Sequence, residues 1–143
     1  MKLAIAAVLA ATVLAACGAM PKKEPPPKPF VGTKWVVQLE LPIAGDQQPW
    51  FRFGDGRMEA FGGCNRIVGR YVQDTVGARA IAFGRFDRGT RACDSATQEA
   101  EARLLEVLQA ASSYQVTGDT MSMTGSSGTL KFKSDPPFEE PPK

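Results

Sequence analysis

The side chains able to do chemistry in this chain are few, and the first fact about them is a gap: its 143 residues include no histidine. Ser-His-Asp and Cys-His catalysis, a histidine general base and every zinc site that needs an imidazole are excluded at once. Serines remain, without a base to activate them, and lysines such as Lys34 and Lys131, which strand alternation places on solvent-facing sides. Paired carboxylates would serve as acid and base, yet Asp46, Asp55 and Asp119 fall in turn-like segments, and Glu99, Glu101 and Glu106 on the polar side of a helical one. No catalytic constellation emerges, so the chain is read as non-enzymatic, with no metal or cofactor. Three cysteines complete the inventory: Cys17, Cys64 and Cys93.

Cys17 closes a leader. Residues 1–17 carry Lys2 and then an apolar run from Leu3 to Ala16 broken only by Thr12. At ~1.5 Å per residue this run covers roughly 21 Å, short of the ~30 Å hydrocarbon core, so a signal peptide fits better than a membrane span. Leu14-Ala15-Ala16-Cys17 resembles the bacterial lipobox, in which the chain is cut before a cysteine that then carries the lipid. The resemblance implies a signal peptide at 1–16, diacylglycerol and palmitate-type acylation at Cys17, and stable membrane attachment through more than one acyl chain. Gly18 in place of aspartate after the cysteine implies sorting to the outer membrane, facing the periplasm. Pro21, Pro25, Pro26, Pro27 and Pro29 make residues 17–30 a polyproline-type tether reaching up to ~40 Å. A second proline stretch, residues 135–143, is expected to fray.

With the leader removed, lysine and arginine nearly balance aspartate and glutamate, which argues against nucleic-acid binding. The remaining cysteines, Cys64 and Cys93, form an even pair in an exported chain, for which a disulfide is the default. A reactive or metal-binding pair is the alternative, with neither C-x-x-C spacing nor neighbouring ligands in its favour.

These residues must be positioned by residues 31–134. From Thr33 the pattern alternates, with Trp35, Val37, Leu39 and Leu41 on one face. Trp50-Phe51-Arg52-Phe53, Gly54-Asp55-Gly56 and Arg57 to Phe61 read as a hairpin. Ile67–Val72, Ala80–Phe83, Tyr114–Val116, Met121–Met123 and Leu130–Phe132 continue the β pattern. Between them, Ser95–Ala111 carries Ala100, Leu104, Val107, Leu108 and Ala111 at helical spacing, with Ser95 and Gln98 as a capping box. The expectation is a mainly β fold: a small β-barrel of about eight short antiparallel strands with one amphipathic α-helix inserted.

Gly63-Cys64-Asn65-Arg66, then Gly69 and Tyr71, resembles the G-C-N-x-x-x-G-x-Y stretch of the META domain found in HslJ-like heat-inducible bacterial lipoproteins. Thr90-Arg91-Ala92-Cys93, with Glu99 and Leu104–Leu108 behind it, is similar to that family's second motif, although Thr90 and Cys93 stand one position closer than its pattern. The resemblance spans about Val31 to Lys133. It implies a β-rich barrel with a helix and a link to envelope stress and antibiotic tolerance, and it supplies no catalytic residues. Gly63 and Gly69 suit turns or close approach, Asn65 can bond backbone amides, and Tyr71 can fill the core while its hydroxyl meets a polar group.

One charge pattern stands apart from the balanced total. Between Cys64 and Cys93 lie Arg66, Arg70, Arg79, Arg85, Arg88 and Arg91 against Asp74 and Asp87. They define a possible contact for an anionic glycolipid, a lipid headgroup or an acidic envelope protein. The competing expectations are a lipocalin-like carrier of a small apolar ligand and an inhibitor or adaptor binding another envelope protein. The carrier needs a central cavity that Trp35, Phe51, Phe53, Tyr71, Phe83 and Phe132 are expected to fill.

Overall fold

The computed structural model describes residues 23, 25–39, 48–74 and 79–136. The leader, Cys17, most of the tether, Leu41, Asp46 and the tail beyond Pro136 lie outside the described residues.

Strands β1 (Lys34–Val37), β2 (Trp50–Phe53), β3 (Arg57–Phe61), β4 (Arg66–Gln73) and β5 (Ile81–Arg88) precede helix α1 (Ser95–Gln109), and β6 (Ala111–Thr117), β7 (Thr120–Gly125) and β8 (Gly128–Asp135) follow it. They form one antiparallel sheet in the order β5-β4-β3-β2-β1-β8-β7-β6. Two meanders are thus joined through β1 and β8, with Trp35 opposite Ser134. The sheet curls until its edges meet at one place, where Ala80 bridges Ser113 and the Tyr114 N–H donates to the Arg79 carbonyl at 3.0 Å. This is the expected small barrel, closed along part of its seam.

Period-two alternation explains why the sheet curls. Trp35, Val37, Phe51, Phe53, Met58, Ala60, Ile67, Tyr71, Met121, Met123 and Phe132 all turn inward and are buried. Each large apolar side chain taken from water contributes about 1.5–3 kcal/mol, and a flat sheet of this size would leave them wet. The helix lies across the end holding the β3–β4 and β7–β8 turns and adds Leu104 and Leu108 to the core. At the other end Phe30 stacks on Phe53 at 4.4 Å and tilts against Tyr114 at 4.8 Å. The domain therefore begins before Val31, because Phe30 belongs to its core, and β8 carries it on to Asp135.

Three local expectations are corrected. The capping residue is Asp94, whose carboxylate accepts from the Thr97 N–H at 3.1 Å and hydroxyl at 2.6 Å, while Gln98 donates to the Cys93 carbonyl. Asp94 offers acceptors one residue before Ser95, which leaves Ser95 inside the first turn. The inward helix face begins at Glu101 and not at Ala100, which is exposed. Strand β5 runs to Arg88, past the Phe83 limit suggested by the pattern, because a register shift opposite Arg70 resets its alternation and turns Phe86 towards the core.

The cap gives a pH signature. The bonds from the Thr97 hydroxyl, then from its N–H, hold the Asp94 carboxyl below its ordinary 3.8. A depressed folded-state pKa stabilises the native chain above the unfolded value, and that stabilisation is lost as pH falls through the folded value. Asp94→Asn keeps a cap but cannot titrate. Its thermal midpoint is expected to fall less than that of the parent between about pH 5 and pH 2, measured by circular dichroism.

Candidate functional site

The two motif stretches meet at the helix-covered end. Cys64 and Cys93 form a disulfide with Cα atoms 6.1 Å apart, which fastens the β3–β4 turn to the segment entering the helix. Beside it Glu101 is 1% exposed. One of its oxygens accepts from the N–H groups of Cys64 at 3.0 Å and Asn65 at 2.6 Å, and the other from the Asn65 side-chain amide at 2.9 Å. The Asn65 side-chain oxygen Oδ1 in turn accepts from the Arg91 N–H at 2.8 Å. A carboxylate thus occupies a buried position because three donors converge there, each of which would otherwise be left without a partner.

This arrangement accounts for most of the motif. Gly63 takes φ +108°, a conformation other residues rarely adopt, so that two consecutive N–H groups can point at Glu101. A Cβ on Gly69 would come within 2.7 Å of the Phe86 ring, so this glycine lets β4 and β5 pack closely. The buried Tyr71 donates its hydroxyl to the Gly54 carbonyl, and burial, then the nearby Asp55 charge, push its pKa above 10.0. Thr90 and the Arg91 side chain are exposed and, with Asn65, Arg88, Gln98 and Glu101, line a crevice of about 300 Å³. Residue type alone does not separate Glu101 from Glu99 and Glu106. The available signal was its place three residues before Leu104 and seven before Leu108, on the same helical face.

The six arginines do not form one surface. Arg79 stands at the opposite seam, beside Tyr114 and Ser113, and Arg88 and Arg91 flank the crevice. Arg66 is held by Glu59 at 3.0 Å, and Glu59 also binds Arg52 at 3.3 Å. Arg70 and Arg85 do come together, along with Arg57, which precedes Cys64 and lies outside the arginine-rich segment between the cysteines. Arg57 faces Arg70 directly across β3 and β4, and the register shift in β5 sets Gly84 and Arg85 against Arg70. All three are exposed, form no ion pair among the described residues and line an open groove of about 960 Å³ on the outer face of the sheet. The interior is filled instead, with Trp35, Phe51, Phe53, Phe132, Leu108 and Met123 all below 2% exposure. Among the described residues no group of three or more acidic or cysteine side chains could hold a metal ion.

A curled antiparallel sheet with one crossover helix, locked at the helix end by a disulfide and a buried glutamate, places the chain among small, filled β-barrel domains. The chain belongs to the META domain family, which matches residues 28–136. Its fold is similar to that of a protein from Burkholderia xenovorans solved by NMR, at 20% identity and a TM-score of 0.60, over 80% of this chain and 96% of that one. A second NMR structure is similar at 17% identity and a TM-score of 0.55, over 71% and 87% of the two chains. No curated protein matches the chain.

Proposed function

We propose that the chain is a lipid-anchored protein of the bacterial envelope, most consistent with the outer membrane facing the periplasm, and that its META domain is a non-enzymatic binding module serving envelope integrity or stress tolerance. The observation that supports this reading is the apolar leader closed by Leu14-Ala15-Ala16-Cys17, and the structure adds where the following segment meets the domain. The Lys28 N–H donates to the Gly118 carbonyl at 2.7 Å, Trp35 donates to the Phe30 carbonyl at 3.2 Å, and the Phe30 ring enters the core. The stretch that leads back towards Cys17 thus leaves the domain at the end of the barrel opposite the helix. The motif residues, occupied in bonding the fold together, leave the outer surface for contact.

Cells expressing the parent chain are expected to incorporate radiolabelled palmitate into it and to hold it in the membrane fraction. Cys17→Ala should lose both. Label or membrane retention persisting in Cys17→Ala overturns the anchor. Crosslinking in the native envelope followed by mass spectrometry then identifies the contact, and a stable protein complex would favour the adaptor reading.

A further inference from the structure

We propose that the outer groove across β2 to β5 is a binding site for the phosphate of an anionic lipid headgroup in the membrane that holds the anchor; this deepens the envelope reading above and rests on it. The first ground is charge placed against the interest of the fold. Arg57 and Arg70 are direct cross-strand neighbours, an arrangement that destabilises a sheet unless an anion is shared between them, and Arg85 is brought beside Arg70 by the irregularity in β5. Glu59 is committed to Arg52 and Arg66, and the three remaining guanidinium groups edge one groove, in which Asp87 is the other carboxylate and leaves the positive charge in excess. Planar, forked guanidinium donors suit the oxygens of a phosphate.

The second ground is apolar. Val31, Val68 and Val72 are the exposed large hydrophobic residues among those described, at 45%, 42% and 70%. Val31 and Val68 line the groove, and Val72 follows Arg70 on the same outer face of β4. Basic groups with exposed aliphatic side chains beside them are the pattern of a surface that settles at the headgroup level of an acidic bilayer. The third ground is position. Val31 and Gly32, the residues directly after Phe30 where the chain enters the domain, form part of the groove wall, so the groove lies beside the segment that leads back to the anchor.

The test uses the mature chain from residue 17 with Cys17→Ser, so that acylation contributes nothing and failure here is distinct from failure of the palmitate experiment. Co-sedimentation is measured with phosphatidylcholine vesicles and with vesicles containing one-third phosphatidylglycerol or phosphatidic acid. The chain is expected to bind the acidic vesicles, less so as salt rises, and to leave phosphatidylcholine alone. Arg57→Gln/Arg70→Gln/Arg85→Gln should weaken acidic-vesicle binding by about 100-fold. The charge-matched Arg79→Gln/Arg88→Gln/Arg91→Gln should weaken it by no more than about threefold, the contribution of general attraction. Circular dichroism monitors folding, and the groove variant should melt no lower than the parent because a like-charge contact is removed. Equal loss in both variants overturns the site. Displacement by millimolar inorganic phosphate at constant ionic strength assigns the groove to a free anion, and capture of polyglutamate without vesicle binding assigns it to an acidic peptide; either outcome overturns the lipid assignment.

Discussion

Glu101→Ala is expected to lower stability by roughly 3–5 kcal/mol, a shift of about 15–25 °C in the thermal midpoint of a domain this size. The substitution strands two backbone N–H groups and the Asn65 amide, and it opens a void beside Ile67 and Gly62. Glu101→Gln tests the chemistry separately from the volume. Its single carbonyl can serve the Cys64 and Asn65 N–H pair, but its own NH₂ then faces the Asn65 NH₂. Rotating Asn65 to relieve that clash would turn its NH₂ towards the Arg91 N–H. Two donors oppose each other in either arrangement, so the glutamine variant should lose about half as much as the alanine variant. Thermal melts of the two variants check both values, and a glutamine variant as stable as the parent would show that the convergence of donors is not what keeps a carboxylate buried.

The second large effect belongs to the disulfide. Cys64 and Cys93 are 29 residues apart, and opening a loop of that size removes roughly 3–4 kcal/mol by freeing the unfolded chain. Cys64→Ser/Cys93→Ser, or reduction of the parent with a phosphine, should lower the urea midpoint accordingly, a large share of the ~5–15 kcal/mol expected of a domain. The bridge and Glu101 fasten the same pair of segments, since Cys64 is both a bridge partner and a donor to the carboxylate. Once the bridge is open, the turn can relax away from the helix and the carboxylate has less to hold. The combined loss should therefore be smaller than the sum of the separate losses, with a coupling of about 0.5–3 kcal/mol in a double-mutant cycle.

The arginine-edged groove and the disulfide differ in how far the sequence reveals them. The bridge was legible because Cys64 and Cys93 form an even pair behind a leader that reads as an export signal, and such a pair has few other uses. The groove was legible only in part: the arginine excess between the cysteines pointed to Arg70 and Arg85 but also to Arg79, Arg88 and Arg91, which the fold sends elsewhere. Arg57 lay outside that window and joins the row because β3 pairs with β4. Composition along the chain reports neighbours in sequence, whereas a contact surface is made by neighbours across strands.

The strands, the hairpin at Gly54-Asp55-Gly56 and the helix behind Cys93 were determined by local sequence. Alternation, turn residues and three-to-four spacing act over a few residues and need no distant partner. The inward set Trp35, Phe51, Phe53 and Phe132 followed from the same alternation, because a curled sheet of this length has one dry side. Tertiary structure alone decided that Glu101 turns in while Glu99 and Glu106 stay out, that Phe30 closes the barrel from beyond the expected boundary, and that Arg57, Arg70 and Arg85 share a groove. In each case the cause is non-local. A buried carboxylate is stable only where another segment brings donors to it, an aromatic ring before the first strand is held only if other rings stand at that end, and like charges meet only where register and an extra residue in one strand bring them opposite one another.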